Sequence, residues 1–311
     1  MSAPVIVFAY KRADKLRACL KALSEADGRK GTQVFIFTDC AKDVSEEKDV
    51  SEVAEVIDDF VQLAPFERIH VKKRNRHIGL ADNVISGVTE VINTFYKVIV
   101  IEDDLIISAD FLTYMNQALE FYENEDNIWS VTGFCEPLKS LKKYQYDVFY
   151  GYRGCSYGWG TWKNRWEAVV WEVREYQTLL QDKKTQRLFN RGGNDMTNML
   201  KNQMEGRIDS WAIRWCFSQS MQDKYTVYPS KSLVINTGTD GSGTHGAKIE
   251  GINENLHKYG EIIELVLTEP NRAISREFYI RHSDTLTKKI RRNLEWSRVM
   301  RLIGRLIIRF F

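Results

Sequence analysis

Three consecutive acidic residues, Glu102-Asp103-Asp104, follow the apolar run Val98–Ile101. Such a triplet at a desolvated strand end is costly, because like charges repel and burial disfavours the ionised carboxylate. A divalent cation offsets that cost, and Mg²⁺ or Mn²⁺ prefers oxygen ligands and can bridge a diphosphate. The alternative is the acidic start of a helix, where Asp and Glu are common. By itself, the triplet predicts either a metal–phosphate site or a helix N-terminus.

The elements that position the triplet alternate between short β-branched runs and longer amphipathic stretches, a pattern typical of parallel strands joined by crossover helices. The predicted strands are Pro4–Tyr10, Gln33–Asp39, Arg68–Lys73 and Val98–Asp104, and the predicted helices are Asp14–Glu25, Glu46–Leu63 and Leu80–Asn93. Ligands bind outside the carboxyl ends of strands in open parallel sheets. We therefore expect Arg12, Asp39 and the triplet to face one crevice.

The composition changes near residue 135, which we take as a boundary between two halves of the chain. Tyr144 to Trp171 is rich in aromatic residues and glycine. The later predictions are helical segments over Thr185–Glu205 and Asp209–Gln222, a strand near Tyr225–Tyr228 and a polar, glycine-rich loop over Asn236–Gly246. Such a loop cannot pack a core, so it is expected either to move as a lid or to form an exposed turn.

Charge is distributed unevenly along the chain. Residues 285–311 contain eight Lys or Arg and one Glu, a charge of +7, so the other 284 residues carry −5 of the net +2. An acidic body disfavours general binding of nucleic acid. The five cysteines are widely spaced without a CxxC pair, which favours reduced thiols over a zinc or redox centre. The N-terminus lacks the features of a signal peptide, so a cytoplasmic location is expected.

The basic segment 285–311 has the pattern of an amphipathic helix. One face contains apolar residues, and the other contains Arg298, Arg301, Arg305 and Arg309. This pattern favours peripheral attachment to an anionic membrane surface, here the inner face of the cell membrane, because the run is too short and too charged to span a bilayer. A terminal helix docked on the body or on another subunit is the alternative.

Several motifs resemble one known family. They are Pro4-Val-Ile-Val-Phe-Ala-Tyr-Lys-Arg12, Leu20-Lys-Ala-Leu23, Phe37-Thr-Asp39-Cys40, Arg76-His77 before Leu80-Ala81, and Val100-Ile-Glu-Asp-Asp-Leu105 before Asp110-Phe111. Together they resemble the inverting glycosyltransferases of GT-A fold, and most closely the N-acetylglucosaminyltransferase I group with its bacterial relatives. The resemblance covers about the first 135 residues and implies a mostly parallel, Rossmann-like nucleotide-binding sheet flanked by helices.

The resemblance also implies roles for residues of the predicted crevice. Arg12, Asp39 and His77 would form the nucleotide pocket, with the Asp39 carboxylate accepting the uracil imide N–H. Asp104 would contact a Mn²⁺ or Mg²⁺ ion, while Glu102 and Asp103 would hold sugar or ribose hydroxyls; metal contact by Asp103 stays open. Taken singly, Arg12, Asp39 and His77 also suit a helix start, a turn and an ordinary loop.

The second half would supply the remaining groups. Asp209 is the candidate base that takes the proton of the acceptor hydroxyl, with Glu205 as the fallback; the alternative for Asp209 is an N-cap of the following helix. His245, in a Thr-His-Gly segment resembling the family's lid, would reach a phosphate or the metal. One of the tryptophans Trp159, Trp162 and Trp166 is expected to stack on a sugar, with the others packed in the core.

These inferences predict an α/β protein in three parts. Residues 1–135 would bind the nucleotide sugar, 136–284 would bind the acceptor and supply the base and lid, and 285–311 would form the membrane-associating amphipathic helix. The predicted reaction moves a sugar from a UDP-sugar to a saccharide or a lipid-linked saccharide in surface polysaccharide synthesis. The rivals are a sugar nucleotidyltransferase, disfavoured because no glycine-rich loop follows the first strand, and a non-catalytic glycan-binding scaffold.

Overall fold

The fold was analysed in a computed structural model that describes residues 2–238, 256 and 263–283. Within these residues the strands are β1 (Val5–Ala9), β2 (Gln33–Thr38), β3 (Arg68–Lys73), β4 (Lys97–Glu102), β5 (Leu105–Ile107), β6 (Ile128–Thr132), β7 (Val148–Gly151), β8 (Trp159–Trp162), β9 (Tyr225–Pro229) and β10 (Val234–Asn236). The helices are α1 (Ala13–Glu25), α2 (Glu47–Leu63), α3 (Leu80–Phe95), α4 (Phe111–Phe121), α5 (Lys163–Glu167), α6 (Tyr176–Gln181), α7 (Lys183–Phe189), α8 (Met196–Met204), α9 (Trp211–Met221) and α10 (Arg272–Arg281).

The predicted parallel sheet is confirmed. The described part of the chain forms an eight-stranded sheet in the order β3-β2-β1-β4-β8-β6-β9-β7, in which β3, β2, β1 and β4 are parallel. Phe8 of β1 pairs with Phe37 of β2 and with Glu102 of β4. Because these three positions are level, the loops that follow β1, β2 and β4 leave the sheet at one edge.

Both faces of the parallel sheet are covered by helices, as the continuous apolar runs predict. Successive residues of a strand point to opposite faces, so Val5 and Val7 of β1 pack with α1 and α2 while Ile6 and Phe8 pack with α3. All four of these β1 side chains are buried. The sheet is therefore the middle layer of the described structure.

The sheet continues past residue 135, where the sequence showed only a change of composition. Strand β8 lies between β4 and β6 and is antiparallel to both, whereas β9 is parallel to β6 and antiparallel to β7. In the sequence, the segment around Trp159–Trp162 was expected to place one tryptophan against a sugar, and no strand was predicted there. Gly160 explains the central place of this strand, since a Cβ there would lie 2.8 Å from the Val98 carbonyl oxygen.

The expectation that one tryptophan of this segment stacks on a sugar is wrong. Trp159, Trp162 and Trp166 are 0%, 2% and 2% exposed. Trp159 stacks on Trp211 of α9 with ring centroids 4.8 Å apart. These rings build the core between the sheet and its helices, which is the more common role of clustered aromatic side chains.

Two other segments differ in detail from the predictions. The helical region Thr185–Glu205 is divided into α7 and α8, because the chain turns at Asn190–Gly192 and Gly193 takes a φ of 138°. The acidic triplet ends β4 and forms the turn into the short strand β5, so the alternative of a helix start at the triplet is wrong. Among the described helices, none has the length and apolar composition to cross a bilayer.

Candidate active site at the carboxyl edge of the sheet

Arg12 binds two acids of the triplet at once. It precedes α1, and Asp103 and Asp104 form the turn after β4. One guanidinium nitrogen, Nη1, donates to Asp104 Oδ2 at 2.9 Å, and Nη2 donates to Asp103 Oδ1. Both aspartates are buried, and this ion pair brings the loops after β1 and β4 into direct contact.

Burial has the largest effect on the pKa values of Glu102 and Asp103. It raises the pKa of Glu102 to about 8, and the charges of Asp104 and Asp103 add to this effect. Burial also raises the pKa of Asp103 to about 6, although the Arg12 charge and hydrogen bond act in the opposite direction. Burial alone would lower the pKa of Arg12, but the two aspartates raise it above its usual range. The raised pKa values show that three ionised acids beside one cation are disfavoured here, so a cationic ligand would stabilise their ionised forms.

The short strands β5 and β10 hold the turn at the triplet in place. They pair antiparallel, with Asn236 opposite Leu105. Thr237 then donates from its backbone N–H at 2.8 Å and from its hydroxyl at 2.9 Å to the carbonyl oxygen of Asp104. Gly238 follows so closely that a Cβ there would lie 2.1 Å from Asp104 Oδ2. The start of the glycine-rich loop therefore lies directly against the predicted metal ligand.

Asp39 organises the segment that leads into α3. Its carboxylate accepts backbone N–H groups from Cys40 at 2.9 Å, from Ile78 at 3.1 Å and from Gly79 at 2.9 Å, while His77 Nδ1 lies 2.9 Å from its Oδ2. Asp39 is buried, which strengthens these charge-assisted hydrogen bonds. The predicted neighbours Asp39 and His77 are therefore in direct contact. The predicted contact of Asp39 with uracil would have to share an oxygen that already accepts these donors.

Asp209 lies at the N-terminus of α3. Its Oδ2 accepts the N–H of Ala81 at 3.1 Å, and a Cβ on Gly79 would lie 3.0 Å from the same oxygen. The N-cap of α9 is Ser210, whose hydroxyl accepts the N–H of Ile213 at 3.4 Å, so the alternative of Asp209 as the N-cap of its own helix is wrong. Gly79 connects the two predicted groups, because its N–H binds Asp39 and its Cα faces Asp209.

The fallback base and the lid histidine do not join this cluster in the described residues. Glu205 is exposed at the end of α8 and pairs with Arg207, and Lys201 lies 3.9 Å away. His245 lies outside the described residues, as does the basic segment 285–311. Only Asn236, Thr237 and Gly238 of the predicted loop are described.

The donor set at the triplet fits a divalent cation that is shared with a substrate. Among the described residues, no group of three or more His, Cys, Asp or Glu converges as a complete metal cage. Mg²⁺ and Mn²⁺ sites for phosphate transfer commonly use one or two carboxylates, with water and phosphate oxygens completing the shell. Asp104 and Asp103 offer carboxylate oxygens of this kind, and such an ion would stabilise the ionised forms of the triplet.

Two residues of this edge were missed by the sequence analysis. Lys15, one turn into α1, donates to the carbonyl oxygen of Thr237 at 2.6 Å and so connects α1 to the segment over Asp104. Gly79 has a φ of 83°, a conformation that residues with a side chain rarely adopt. The position of Gly79 directly before the amphipathic stretch of α3 could have indicated a special backbone conformation. The neighbouring sequence gave no indication that Asp209 contacts this glycine.

The family model described as "GNT-I family" matches residues 1–167. No curated protein matches the chain in sequence. Among solved structures the chain is similar to S. aureus TarS 1–349, with 12% identity over 77% of this chain and 61% of that chain and a TM-score of 0.43.

Two further solved structures are similar to the chain. One is S. aureus TarS 1–349 in complex with UDP, with 13% identity over 75% of this chain and 60% of that chain and a TM-score of 0.41. The other is the galactosyltransferase LgtC in complex with donor and acceptor sugar analogues, with 14% identity over 58% of this chain and 65% of that chain and a TM-score of 0.35. The chain thus spans about three fifths of the length of TarS 1–349.

Proposed function

Because the chain belongs to the GNT-I family, a family of glycosyltransferases, we propose that it transfers a sugar from a UDP-sugar to a saccharide acceptor with inversion. The observation that carries this proposal is the ion pair of Arg12 with Asp103 and Asp104 at the edge of the sheet where Asp39 and His77 also lie. An acidic turn with a single counter-ion suits a site that receives a metal–diphosphate unit.

On the donor side, the chain's own residues bind and orient the nucleotide sugar. Asp104 and Asp103 would hold Mn²⁺ or Mg²⁺, which when bound neutralises the charge on the departing diphosphate. Arg12 holds both aspartates in fixed positions. Glu102 can accept a hydrogen bond from a sugar or ribose hydroxyl, and burial, which raises its pKa, favours the protonated form that can also donate one.

The base for the acceptor is Asp209. Inversion requires a group that takes the acceptor proton on the face of the sugar opposite the leaving diphosphate. Asp209 is exposed, and among residues 2–238, 256 and 263–283 its hydrogen bond is the one that Oδ2 accepts from the Ala81 N–H. The second oxygen is available for the acceptor hydroxyl, while the bond to α3 fixes the direction in which the carboxylate points.

The sequence of the basic segment 285–311 supports a location of this activity at a membrane surface. We propose that it attaches the enzyme to the inner face of the cell membrane, through arginines that attract anionic headgroups and apolar residues that enter the interface. A lipid-linked acceptor, as in surface polysaccharide synthesis, would then be within reach. His245, which precedes this segment, would contact the diphosphate from the glycine-rich loop.

A donor screen tests the proposed function. The full chain is incubated with a panel of nucleotide sugars and Mn²⁺, and the released nucleotide is measured, with the anomer of any product assigned by NMR. We expect release of UDP from one UDP-sugar, loss of that release on chelation of the metal, and an inverted product. Release from no donor of the panel, or release that chelation leaves unchanged, would contradict the proposal.

A further inference from the structure

A second cavity lies away from the acidic crevice, between α7, the turn that follows it and α10. Its volume is about 520 Å³. The lining residues on which the argument depends are Tyr152, Lys183, Arg187, Arg191, Ser275 and Arg276. Among the described residues that line this cavity, none is acidic. We call it the basic cavity.

Two cations of the basic cavity, Lys183 and Arg187, belong to helix α7. Lys183 and Arg187 lie four residues apart in α7, which puts like charges side by side and destabilises the helix by about 0.2–0.5 kcal/mol. Arg191 lies beyond α7, in the turn Asn190–Gly192. Lys183 is also in the first turn of α7, where the helix dipole disfavours a positive charge. Arg187 lies in the last turn of α7, where the helix dipole favours a positive charge, so helix stability can account for Arg187 but not for Lys183.

Most of this positive charge is uncompensated. Arg191 lies 2.5 Å from a carboxylate oxygen of Asp223. Within residues 2–238, 256 and 263–283, Lys183, Arg187 and Arg276 have no acidic partner within 4.0 Å. Arg276 comes from α10, so cations approach the cavity from two separate elements.

Polar and aromatic groups complete the lining. The Arg191 guanidinium carbon lies 4.2 Å from the ring centroid of Tyr152, which fixes the arginine in a cation–π contact. The Ser275 hydroxyl is buried and has no hydrogen-bond partner among the described residues. A buried hydroxyl without a partner costs free energy, and a ligand oxygen in the cavity would remove that cost.

The basic cavity is far from the acidic triplet. Tyr152 follows β7, which is four strands away from β4, and four strand spacings correspond to about 19 Å. β7 also ends at Gly151 opposite Thr226 near the start of β9, which is the edge of the sheet away from the triplet. A ligand that occupies the basic cavity is therefore separate from the nucleotide sugar.

We propose that the basic cavity binds a phosphate group of a second ligand. Guanidinium groups bind phosphate oxygens through paired, charge-assisted hydrogen bonds, and an ammonium group and a hydroxyl supply further donors. A neutral sugar would leave Arg187 and Arg276 without a counter-ion, and a cation would be repelled. The phosphate can belong to a soluble phosphorylated saccharide or to a phospholipid headgroup. This site does not depend on the proposed transfer reaction.

The test compares two doubly substituted full-length variants of equal charge. R187Q/R276Q removes the unpaired arginines of the basic cavity, and K21Q/K48Q removes two exposed lysines of α1 and α2 as the matched control. Inorganic pyrophosphate is titrated calorimetrically without divalent cation, and any component that UDP displaces is assigned to the donor crevice. We expect the affinity for pyrophosphate of the component that UDP does not displace to fall about tenfold or more in R187Q/R276Q and to stay unchanged in the control.

A second measurement separates the sources of the phosphate. Binding to vesicles is measured by sedimentation, with phosphatidylcholine alone and with phosphatidylglycerol added. If R187Q/R276Q loses the binding that requires phosphatidylglycerol, the phosphate is that of a lipid headgroup. If the variant keeps this binding, the phosphate belongs to a soluble ligand. UDP release from the donor is measured in the same variants and is expected to be unchanged in both, so a failure of the donor site would be recognised separately. Equal pyrophosphate affinity in the wild type and both variants, or an equal loss in both variants, would overturn the proposal.

Discussion

At the scale of single residues, Arg12 is the group on which the acidic crevice depends. Its guanidinium is the counter-ion of two buried aspartates, so its removal leaves uncompensated charge in a desolvated place. Breaking a buried pair by removing one partner is usually strongly destabilising, because the remaining charge keeps its desolvation cost.

We predict that Arg12→Gln lowers the free energy of unfolding by roughly 3 kcal/mol at neutral pH, and that Mn²⁺ restores part of the loss. Melting temperature with and without the metal measures both effects. Arg17→Gln is the matched control on the same helix, because its pair with Asp59 is exposed and 3.7 Å long, and exposed pairs contribute little. Equal melting temperatures for Arg12→Gln and Arg17→Gln would refute the role of Arg12.

Asp209 is the second residue with a specific expected effect. Asp209→Asn keeps an oxygen that can accept the Ala81 N–H, so α3 is expected to stay intact. A general base contributes about a hundredfold or more to the rate, and we predict a loss of transfer of that size with unchanged affinity for UDP. Transfer rate and UDP titration are the measurements. A variant that also loses UDP binding would point to a structural role for Asp209.

At the scale of elements, the parallel strands β1 to β4 and the later strand β9 could be predicted, whereas the central strand β8 could not. β1, β2 and β4 are apolar almost throughout, since helices cover both of their faces. β8 reads Trp-Gly-Thr-Trp, which has the composition of an aromatic loop, and only its pairing with β4 and β6 makes it a central strand. That pairing is a tertiary contact, and local patterns carry no information on it.

The fit of β8 against β4 leads to a prediction about Gly160. A Cβ there would lie 2.8 Å from the backbone oxygen of Val98, which cannot move without disturbing β4. We predict that Gly160→Ala lowers the free energy of unfolding by about 1–3 kcal/mol. Gly31→Ala is the control, since its nearest neighbour would be the Ser2 hydroxyl at 3.9 Å. Denaturant unfolding of both variants provides the comparison, and equal midpoints would contradict the packing argument.

The same distinction applies to the site. Arg12, Asp39 and the triplet could be assigned to one edge because parallel strands place their carboxyl ends together. The contact of Asp209 with α3 could not, because it joins residues 128 positions apart in sequence. The sugar-stacking role expected for one of Trp159, Trp162 and Trp166 was wrong for a related reason, since burial of an aromatic side chain depends on which helix covers it.

At the scale of the whole molecule, Glu136 attaches the last described helix to the body. It pairs with Arg281, and His282 Nε2 lies 2.9 Å from its Oε1, both at the end of α10. Burial acts to raise the pKa of Glu136, but the interactions with His282, Arg281 and Arg153 lower it below its usual value. The stabilisation is therefore present above the ordinary pKa of glutamate and is lost as the pH falls through the lowered pKa.

We predict that Glu136→Gln lowers the melting temperature by a few degrees at neutral pH, and that this difference disappears in acid, where the wild-type carboxylate is protonated. Melting curves across the acid range measure the convergence. Glu120→Gln is the control, because Glu120 is exposed on α4. A difference between Glu136→Gln and the wild type that stays constant with pH would show that the charge of Glu136 does not hold α10.

The most direct test of the account is calorimetric titration of the full chain with UDP, with and without Mn²⁺, for the wild type and Asp104→Asn. Asparagine keeps the size of the side chain but removes the charge that would hold the ion. The account predicts that Mn²⁺ strengthens UDP binding to the wild type and that Asp104→Asn loses this gain while melting normally. UDP binding that is equal in the two proteins, with Mn²⁺ present, would contradict the claim that the acidic crevice is the nucleotide-sugar site.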